Sequence, residues 1–362
     1  MKQAARRRVL IMAGGTGGHV IPALSLARGL RDEALEVHWL GSPQGIENRL
    51  VPAAELPLHH ISVAGLRGNG AAGWLLAPFN LTRAVWQAAR IIRRLDPVLV
   101  VGLGGFASGP GGLAAWLLRR PLVIHEQNAV AGLTNRVLAR LARRVYAAFP
   151  QAFGSRSEVV GNPVRDEIAA LGESPREAQA MRERRLRMLV VGGSLGALPL
   201  NQRLPEALAA LPEERRPEVR HQAGRDKDAA TREAYAEYGV EAEVSAFIDD
   251  MAEAYAWADL VVCRAGALTV SEVAAAAKPA LFVPLPHAVD DHQTANARAL
   301  VESGAARLMP QHEMTAAALA ESLTTLLEPD TLATMARQAR QCAHFDAVER
   351  LVAGCMETAL ER

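Results

Sequence analysis

Short apolar runs that end in glycine recur along this chain, and each is followed by a stretch with the apolar spacing of a helix. Residues 9–13 run into the glycine-rich residues 14–18, and residues 188–191 run into residues 192–196, so that two similar patterns open two halves of similar length. Strand-like and helix-like segments then alternate through both halves. This alternation predicts an α/β fold with two Rossmann-like, doubly wound domains, each built on a mainly parallel sheet.

The segment Gly161-Asn-Pro-Val-Arg165 interrupts this pattern before a charge-rich stretch that runs to Arg187. We therefore place the domains at residues 1–164 and 165–342. The length of 362 residues agrees with two domains, because one hydrophobic core rarely serves more than about 250–300 residues. Ligands of doubly wound folds bind at the carboxyl ends of the strands, so we expect the site in the cleft between the domains.

The clearest candidate for a ligand cradle follows the apolar run at residues 259–263. The run breaks at Ala265-Gly-Ala267 and an alanine-rich stretch follows, which predicts a strand, a tight turn and a helix. The N–H groups of such a turn and the helix dipole favour a phosphate, and Glu272 is placed to accept hydrogen bonds from a ribose. The alternative is an ordinary crossover in which Glu272 only complements the helix dipole.

A glycine turn in the first half carries a histidine. The run Gly14-Gly-Thr-Gly-Gly18 lets the backbone approach an anion closely, and His19 follows at the expected start of a helix. Histidine titrates near neutrality, which suits proton abstraction, so we favour a chemical role over a structural one. The run fits neither the glycine pattern of dinucleotide-binding folds nor that of P-loop enzymes.

A second glycine loop, Gly102-Leu-Gly-Gly-Phe-Ala-Ser-Gly-Pro110, lies in the same half and is followed by His125-Glu-Gln-Asn128. These runs make the first half rich in backbone donors and side-chain amides, which suit a diphosphate and sugar hydroxyls. Two halves that can each hold a phosphate suggest two phosphorylated substrates.

One motif supports a different class of enzyme. The run Gly192-Gly-Ser-Leu-Gly196 matches the GxSxG pattern of a serine hydrolase, and His287 or His292 could complete a catalytic triad. The pattern is short, and the same run is better explained as the start of the second domain. We keep a serine hydrolase of the α/β type as the alternative function.

The net charge of +1 hides an asymmetry between the halves. Residues 1–164 carry a net charge of +11 and residues 165–362 a net charge of −10. The basic half could face an anionic lipid or a diphosphate, whereas nucleic acid is disfavoured because aromatic residues make up only 4% of the chain.

Three cysteines without metal-type spacing suggest buried thiols in a reducing compartment. The acidic pair of Asp226-Lys-Asp228 fits a helix start better than a metal site.

Taken together, these motifs resemble the MurG family, the UDP-N-acetylglucosamine: undecaprenyl-pyrophosphoryl-N-acetylmuramyl-pentapeptide N-acetylglucosaminyltransferases. The resemblance covers nearly the whole chain and also includes Phe247-Ile-Asp-Asp-Met251, Arg264 to Glu272, and Gln293-x-x-Asn296-Ala297. It implies a GT-B glycosyltransferase fold with the acceptor lipid on the first domain and the nucleotide sugar on the second. It also implies a C-terminal helix, residues 343–362, that packs back on the first domain.

The resemblance assigns roles to individual residues. The expected donor contacts are Thr16, Gly17, Gly18, Asn128, Arg165, Ser194, Ile248, Ala267, Leu268, Thr269, Val270, Ser271, Glu272 and Gln293. The expected contacts of the acceptor diphosphate are Gly14, Gly15, Gly104, Gly105 and Ser108. His19 is the expected catalytic base and Glu126 the second choice. His292 stands where some relatives have glutamine, and Phe106 where tyrosine is common.

The implied reaction is attack of the muramyl O4 hydroxyl of lipid I on C1 of UDP-N-acetylglucosamine, with inversion, which gives lipid II for peptidoglycan synthesis. No cofactor and no metal are expected. The implied partners are the two substrates, an anionic membrane surface and cell-wall or division proteins. The implied location is the cytoplasmic face of the bacterial inner membrane, where the protein would be peripheral. The apolar run before Gly14 is too short for a signal peptide. Residues 98–118 are uncharged, but the glycines and the proline among them argue against a membrane-spanning helix.

A further apolar segment suggests how such a protein could reach the membrane. Residues 68–82 carry no charge but include several large apolar side chains, and arginines flank or follow them. An apolar patch with an arginine rim would lie in the membrane interface, whereas the alternative is a buried helix. The predicted membrane patch comprises Trp74, Leu75, Leu76, Phe79 and Arg83.

Overall fold

A computed structural model describes residues 7–63, 70–174, 176–193, 195–286 and 291–361. The chain divides into two compact units. The first comprises Met1–Pro163 together with Asp346–Arg362, and the second comprises Val164–Phe345.

The first unit is built on a seven-stranded sheet. Its strands are β1 Arg8–Met12, β2 Glu36–Gly41, β3 Leu58–His60, β4 Leu99–Gly102, β5 Leu122–Glu126, β6 Arg144–Ala147 and β7 Glu158–Val159. Their order is β3-β2-β1-β4-β5-β6-β7, and the paired strands are parallel. The helices between them are α1 Gly17–Asp32, α2 Glu47–Ala53, α3 Gly70–Leu95, α4 Ser108–Leu117 and α5 Leu133–Leu138.

The second unit repeats this arrangement with six strands. They are β8 Arg187–Val191, β9 Glu218–Gln222, β10 Glu243–Ser245, β11 Leu260–Cys263, β12 Ala280–Phe282 and β13 Ala306–Leu308. Their order is β10-β9-β8-β11-β12-β13, again with parallel pairs. The helices are α6 Asp166–Ala169, α7 Ala178–Arg182, α8 Leu198–Ala209, α9 Asp228–Glu237, α10 Met251–Trp257, α11 Ala267–Ala275, α12 His292–Glu302, α13 Ala316–Leu326 and α14 Pro329–Gln341, after which α15 Ala347–Leu360 returns to the first unit.

In each unit the chain enters the sheet at a central strand and adds strands toward one edge. It then adds the remaining strands on the other side of that central strand. The order therefore reverses between β1 and β4 in the first unit and between β8 and β11 in the second. Met12 pairs with Gly102, and Val191 pairs with Cys263, so in each unit the two turns that follow leave the sheet side by side. This is the switch point at which doubly wound sheets bind ligands. The predicted pair of doubly wound α/β domains is confirmed.

Alternating side chains of the central strand fill both faces of the first sheet. Val9 and Ile11 belong to a core with α1 and α15, whereas Leu10 and Met12 belong to a core with α3 and α4. Because successive side chains of a strand point to opposite faces, an uninterrupted apolar run marks a strand that is covered on both sides. This explains why the sequence pattern located β1 correctly.

Helix α15 packs closely against the first unit. Leu351 and Cys355 are fully buried in the same core as Val9. A methyl group on Gly29 of α1 would lie 2.8 Å from Val352, so glycine permits the close approach of the two helices. Gly354 faces the buried ring of Tyr146 in β6.

We predict that Gly354→Ala destabilises the protein by about 1–3 kcal/mol, because the added methyl would lie 2.7 Å from Cζ of Tyr146 in a closely packed core. Thermal and denaturant unfolding would measure this. The control is Gly132→Ala, where a methyl would meet no described atom within 4 Å. Equal stability of the two variants would show that α15 does not need this close contact.

Candidate functional site

The turns that follow β1 and β4 touch each other at the switch point of the first unit. A methyl group on Gly105 would lie 2.7 Å from the backbone nitrogen of Gly14, so only backbone fits between the turns. Gly15, Gly104 and Gly105 have φ angles of 90°, 101° and 85°, which other residues rarely adopt. The sequence-predicted glycine runs therefore form one structure rather than two separate loops.

His19 lies in the first turn of α1, beside this contact. A methyl group on Gly104 would lie 2.7 Å from His19 Nδ1, so the imidazole occupies the space that a side chain at position 104 would need. His19 is half-buried, and its Nδ1 lies 3.0 Å from Oε1 of Gln127, which follows β5 directly. No individual role was predicted for Gln127, although its motif was expected to contribute side-chain amides.

A buried glutamate that the sequence analysis missed supports the first glycine turn. Glu47, which begins α2, has no exposed surface and accepts hydrogen bonds from Gly15 N at 2.9 Å, Ser42 N at 3.2 Å and Ser42 Oγ at 2.8 Å. Glu47 follows a polar stretch, so the sequence pattern did not distinguish it from an exposed loop residue.

Two of the residues predicted to hold the acceptor diphosphate are bonded within the protein instead. The N–H of Gly15 points to Glu47. Ser108 is fully buried, and its hydroxyl lies 2.7 Å from the Gly104 carbonyl oxygen and 3.0 Å from that of Met12. Ser108 is thus placed as a support of the loop, and its contact with the acceptor diphosphate stays a prediction. Gly14 and Gly104 are buried, and Gly105 is half-buried.

Glu126 is also bonded within the protein. Its Oε1 accepts hydrogen bonds from the backbone and side-chain nitrogens of Asn128, and its Oε2 accepts them from Gly132 N and Asn135 Nδ2, all at 2.9–3.2 Å. The residue is almost fully buried. Because donors of the protein occupy both carboxylate oxygens of this buried residue, the geometry favours His19 over Glu126 as the base. It also shows that Asn128, predicted as a donor contact, holds Glu126.

The remaining predicted residues of the first unit, Thr16, Gly17 and Gly18, form the start of α1. Thr16 is exposed and adopts an extended conformation before the helix, and Gly17 and Gly18 are half-buried. The N-terminus of a helix carries a partial positive charge, which is compatible with an anionic ligand.

In the second unit, the predicted cradle is the N-terminus of α11. Gly266 precedes the helix, and in the described part of the unit no side chain caps its first turn. The side chains of Ala267, Leu268 and Val270 are buried, whereas Thr269 and Ser271 are half-buried. A ligand above this turn would therefore meet mainly backbone and hydroxyl groups.

Glu272 and Arg165 form an ion pair, with Nη2 of Arg165 2.9 Å from Oε1 of Glu272. Tyr255 donates its hydroxyl proton to the other carboxylate oxygen at 3.3 Å. Burial raises the pKa of Glu272, although Arg165 and Tyr255 oppose this shift. Nε of Arg165 is buried and has no acceptor among the described residues, so the guanidinium retains donor capacity.

Gln293 contacts two backbone segments near the same helix. Its Oε1 accepts hydrogen bonds from Ala265 N at 3.2 Å and Leu285 N at 2.9 Å. The side-chain oxygen is therefore engaged, which makes the Nε2 group the more suitable contact for a sugar hydroxyl. Ile248 lies half-buried in the segment before α10, where its backbone could contact a base.

Ser194 and His287 lie outside the described residues. Gly193, which follows β8, is held by Gln222, whose side-chain amide exchanges hydrogen bonds with Gly193 N and Gly193 O at 3.2 and 3.1 Å. Helix α8 begins at Leu198, four positions after Ser194.

Exposed apolar side chains lie on α3 and on the neighbouring helix α4. Phe79 is 69% exposed, and Leu81 and Trp86 are 50% and 55% exposed. Arg83 is exposed, and the guanidinium of Arg90 lies 4.9 Å from the centre of the Trp86 ring. The predicted side chains of Trp74, Leu75 and Leu76 fall outside the described part of α3.

Among the described residues, no three His, Cys, Asp or Glu side chains are grouped so that they could hold a metal ion. No helix in the described ranges is long and apolar enough to cross a membrane.

Comparison with known proteins identifies both units. Residues 9–147 match the glycosyltransferase family 28 N-terminal domain, and residues 187–351 match the glycosyltransferase family 28 C-terminal domain. The chain is similar to a solved structure, Acinetobacter baumannii MurG, with 44% sequence identity, a TM-score of 0.82 and coverage of 97% of this chain and 99% of the other. The GT-B fold class is thereby confirmed.

Two curated relatives share the name UDP-N-acetylglucosamine--N-acetylmuramyl-(pentapeptide) pyrophosphoryl-undecaprenol N-acetylglucosamine transferase. The protein of Chromohalobacter salexigens is 73% identical over 351 residues, which cover 97% of this chain and 96% of the relative. That of Stutzerimonas stutzeri is 59% identical over 354 residues, which cover 97% and 98%. The chain therefore belongs to glycosyltransferase family 28 and, within it, to the MurG family.

Proposed function

We propose that this protein transfers N-acetylglucosamine from UDP-N-acetylglucosamine to the O4 hydroxyl of the muramyl sugar of lipid I, which yields lipid II and UDP. The observation that carries this proposal is the 73% identity over nearly the full length to a relative whose name states this transfer. The position of His19 at the switch point of the first unit supports it.

In this reaction, His19 Nε2 takes the proton of the O4 hydroxyl while the oxygen attacks C1 of the donor sugar. The new O4–C1 bond forms as the bond from C1 to the diphosphate oxygen breaks, and the electron pair leaves with UDP. Attack from the opposite side inverts the anomeric carbon. A positioned general base contributes about 10²–10⁴-fold to such a step.

The second unit supplies the donor contacts. The N-terminus of α11 faces the charge that develops on the leaving diphosphate, and Arg165 adds a positive charge next to it. Glu272 accepts hydrogen bonds from the ribose, Ile248 offers backbone groups to uracil, and Gln293 donates to the sugar hydroxyls. Ser194 completes the diphosphate contacts.

The first unit receives the acceptor. Its lipid diphosphate lies against the glycine turns near Gly105, and the tail remains in the bilayer. The exposed apolar side chains and arginines of α3 hold the protein, as a peripheral protein, on the anionic cytoplasmic face of the inner membrane. The reaction needs no cofactor or metal in this proposal. Contacts with cell-wall or division proteins remain a prediction.

The serine-hydrolase alternative is not supported. The relatives named above bear the name of a transferase, and they match this chain over 96% and 98% of their own lengths. A direct test is incubation with UDP-N-acetylglucosamine and a short-chain lipid I analogue in excess chelator, followed by mass spectrometry. We expect a disaccharide product; hydrolysed donor without disaccharide would contradict the proposal.

We predict that His19→Ala lowers kcat by about 10²–10⁴-fold in this assay, while the affinity for UDP changes little, because a lost base affects only the chemical step. The matched control is His312→Ala, since His312 is a highly exposed histidine of the second unit. A parallel loss of UDP affinity would assign His19 to binding instead of proton transfer.

We predict that Glu272→Gln weakens UDP binding about 5- to 30-fold, which corresponds to roughly 1–2 kcal/mol for replacing a charged hydrogen bond by a neutral one. Calorimetric titration with UDP measures the effect, and thermal unfolding checks that the unit is intact. Glu253→Gln removes a similar ion pair, to Arg220, at an exposed site and serves as the control. Unchanged UDP affinity in Glu272→Gln would remove Glu272 from the donor site.

We predict that Phe79→Ser/Leu81→Ser reduces binding to anionic liposomes by at least about tenfold, because burying each side chain contributes about 1.5–3 kcal/mol. Binding of the parent protein should require anionic lipid and fall with salt. Turnover of a water-soluble acceptor should persist. Leu360→Ser changes another exposed leucine of the first unit and is the control. Parental liposome binding by the double variant would place the docking surface elsewhere.

A further inference from the structure

Three side chains of the first unit form a continuous hydrogen-bonded series that ends at His19. His125 Nε2 lies 2.9 Å from the Gly161 carbonyl oxygen, and His125 Nδ1 lies 3.3 Å from Gln127 Nε2. Gln127 Oε1 lies 3.0 Å from His19 Nδ1. His125 and Gln127 are almost completely buried, so water does not compete for these partners.

The carbonyl group at one end fixes the proton on His125. A carbonyl oxygen only accepts, so Nε2 of His125 must carry the proton that is donated to Gly161. Burial lowers the pKa of His125 to about 4, which keeps the ring neutral near pH 7. A neutral imidazole has one N–H, and its Nδ1 therefore presents a lone pair.

This lone pair fixes the orientation of the Gln127 amide. The amide nitrogen can donate to His125 Nδ1, whereas the flipped amide would place its oxygen against the lone pair. The amide oxygen must then face His19. Asn162 Nδ2 donates to the Gln127 backbone oxygen at 3.1 Å and holds the residue in place.

We propose that His125 and Gln127 are positioning residues that hold His19 in the Nδ1–H tautomer, so that the Nε2 lone pair is directed at the hydroxyl of the acceptor. The inference rests on the proposed role of His19 as the base. Gly104 completes the arrangement, because the absence of a side chain there leaves room for the imidazole. An amide orders the base without adding negative charge. The nearby carboxylates, Glu126 and Glu47, are bonded to other donors.

The direct test is the tautomer of His19, measured by long-range ¹H–¹⁵N NMR of protein labelled at histidine, with His19→Ala to assign the signal. We expect the Nδ1–H form in the parent and a tautomer mixture in Gln127→Met, which has a similar size but no amide. Gln151→Met changes an exposed glutamine of the same unit and should leave the spectrum unchanged. The Nε2–H form in the parent, or the parental spectrum in Gln127→Met, would overturn the proposal.

Kinetics provide a second readout. We expect kcat of Gln127→Met to fall about 10- to 100-fold with nearly unchanged UDP affinity, which is part of the contribution of a general base. We expect Gln127→Glu to move the acidic limb of the kcat profile to higher pH, because a carboxylate beside an imidazole favours its charged form. Parental kcat in Gln127→Met and a parental pH profile in Gln127→Glu would contradict the positioning role.

These results separate two failures. If His19→Ala keeps the parental kcat, His19 is not the base, and the proposed mechanism fails whatever its tautomer. If His19→Ala is inactive but the tautomer does not depend on Gln127, only the positioning role fails.

Discussion

The close contact between the backbones of Gly14 and Gly105 is the constraint on which the first unit's site depends. Strands β1 and β4 are neighbours, so their following turns must share a space that admits backbone only. This brings Gly104 under the imidazole of His19 and Ser108 under the turn. A side chain in this contact would separate the turns and displace the histidine with them, so the glycines position the chemistry as well as the loop.

The second unit has the same topology but uses its glycines at a different place. A methyl group on Gly224, after β9, would collide with the backbone of Gly196, after β8. Close contact therefore lies on the side of β8 that faces away from β11. The N-terminus of α11 and Gln293 therefore occupy the switch point between β8 and β11. Oε1 of Gln293 accepts hydrogen bonds from both Ala265 N and Leu285 N. One unit thus presents an imidazole at its switch point, and the other presents a helix terminus.

The fold could be predicted from the sequence because buried parallel strands leave unbroken apolar runs, such as residues 9–13 and 260–263, and because glycine marks the turns that follow them. The site could be predicted only in part. A glycine motif locates a turn but does not tell which N–H groups face a ligand. The N–H of Gly15 and the hydroxyl of Ser108, both predicted to hold a diphosphate, form hydrogen bonds within the protein. Glu47 and Gln222 act across the fold on distant loops, and no local pattern distinguishes them from surface residues.

Buried charge explains why an amide, and not a carboxylate, adjoins His19. The carboxylate of Glu47 lies against the first glycine turn, and that of Glu126 holds the segment after β5. Each accepts several hydrogen bonds and supports a loop. Under the proposed reaction, the acceptor diphosphate binds the first unit, and an unscreened negative charge beside His19 would repel it. It would also favour the protonated imidazole, which cannot accept a proton. A neutral glutamine orients the ring without repelling the diphosphate and without favouring the protonated imidazole. It gives up the stabilisation that a carboxylate would provide to the imidazolium formed during proton transfer.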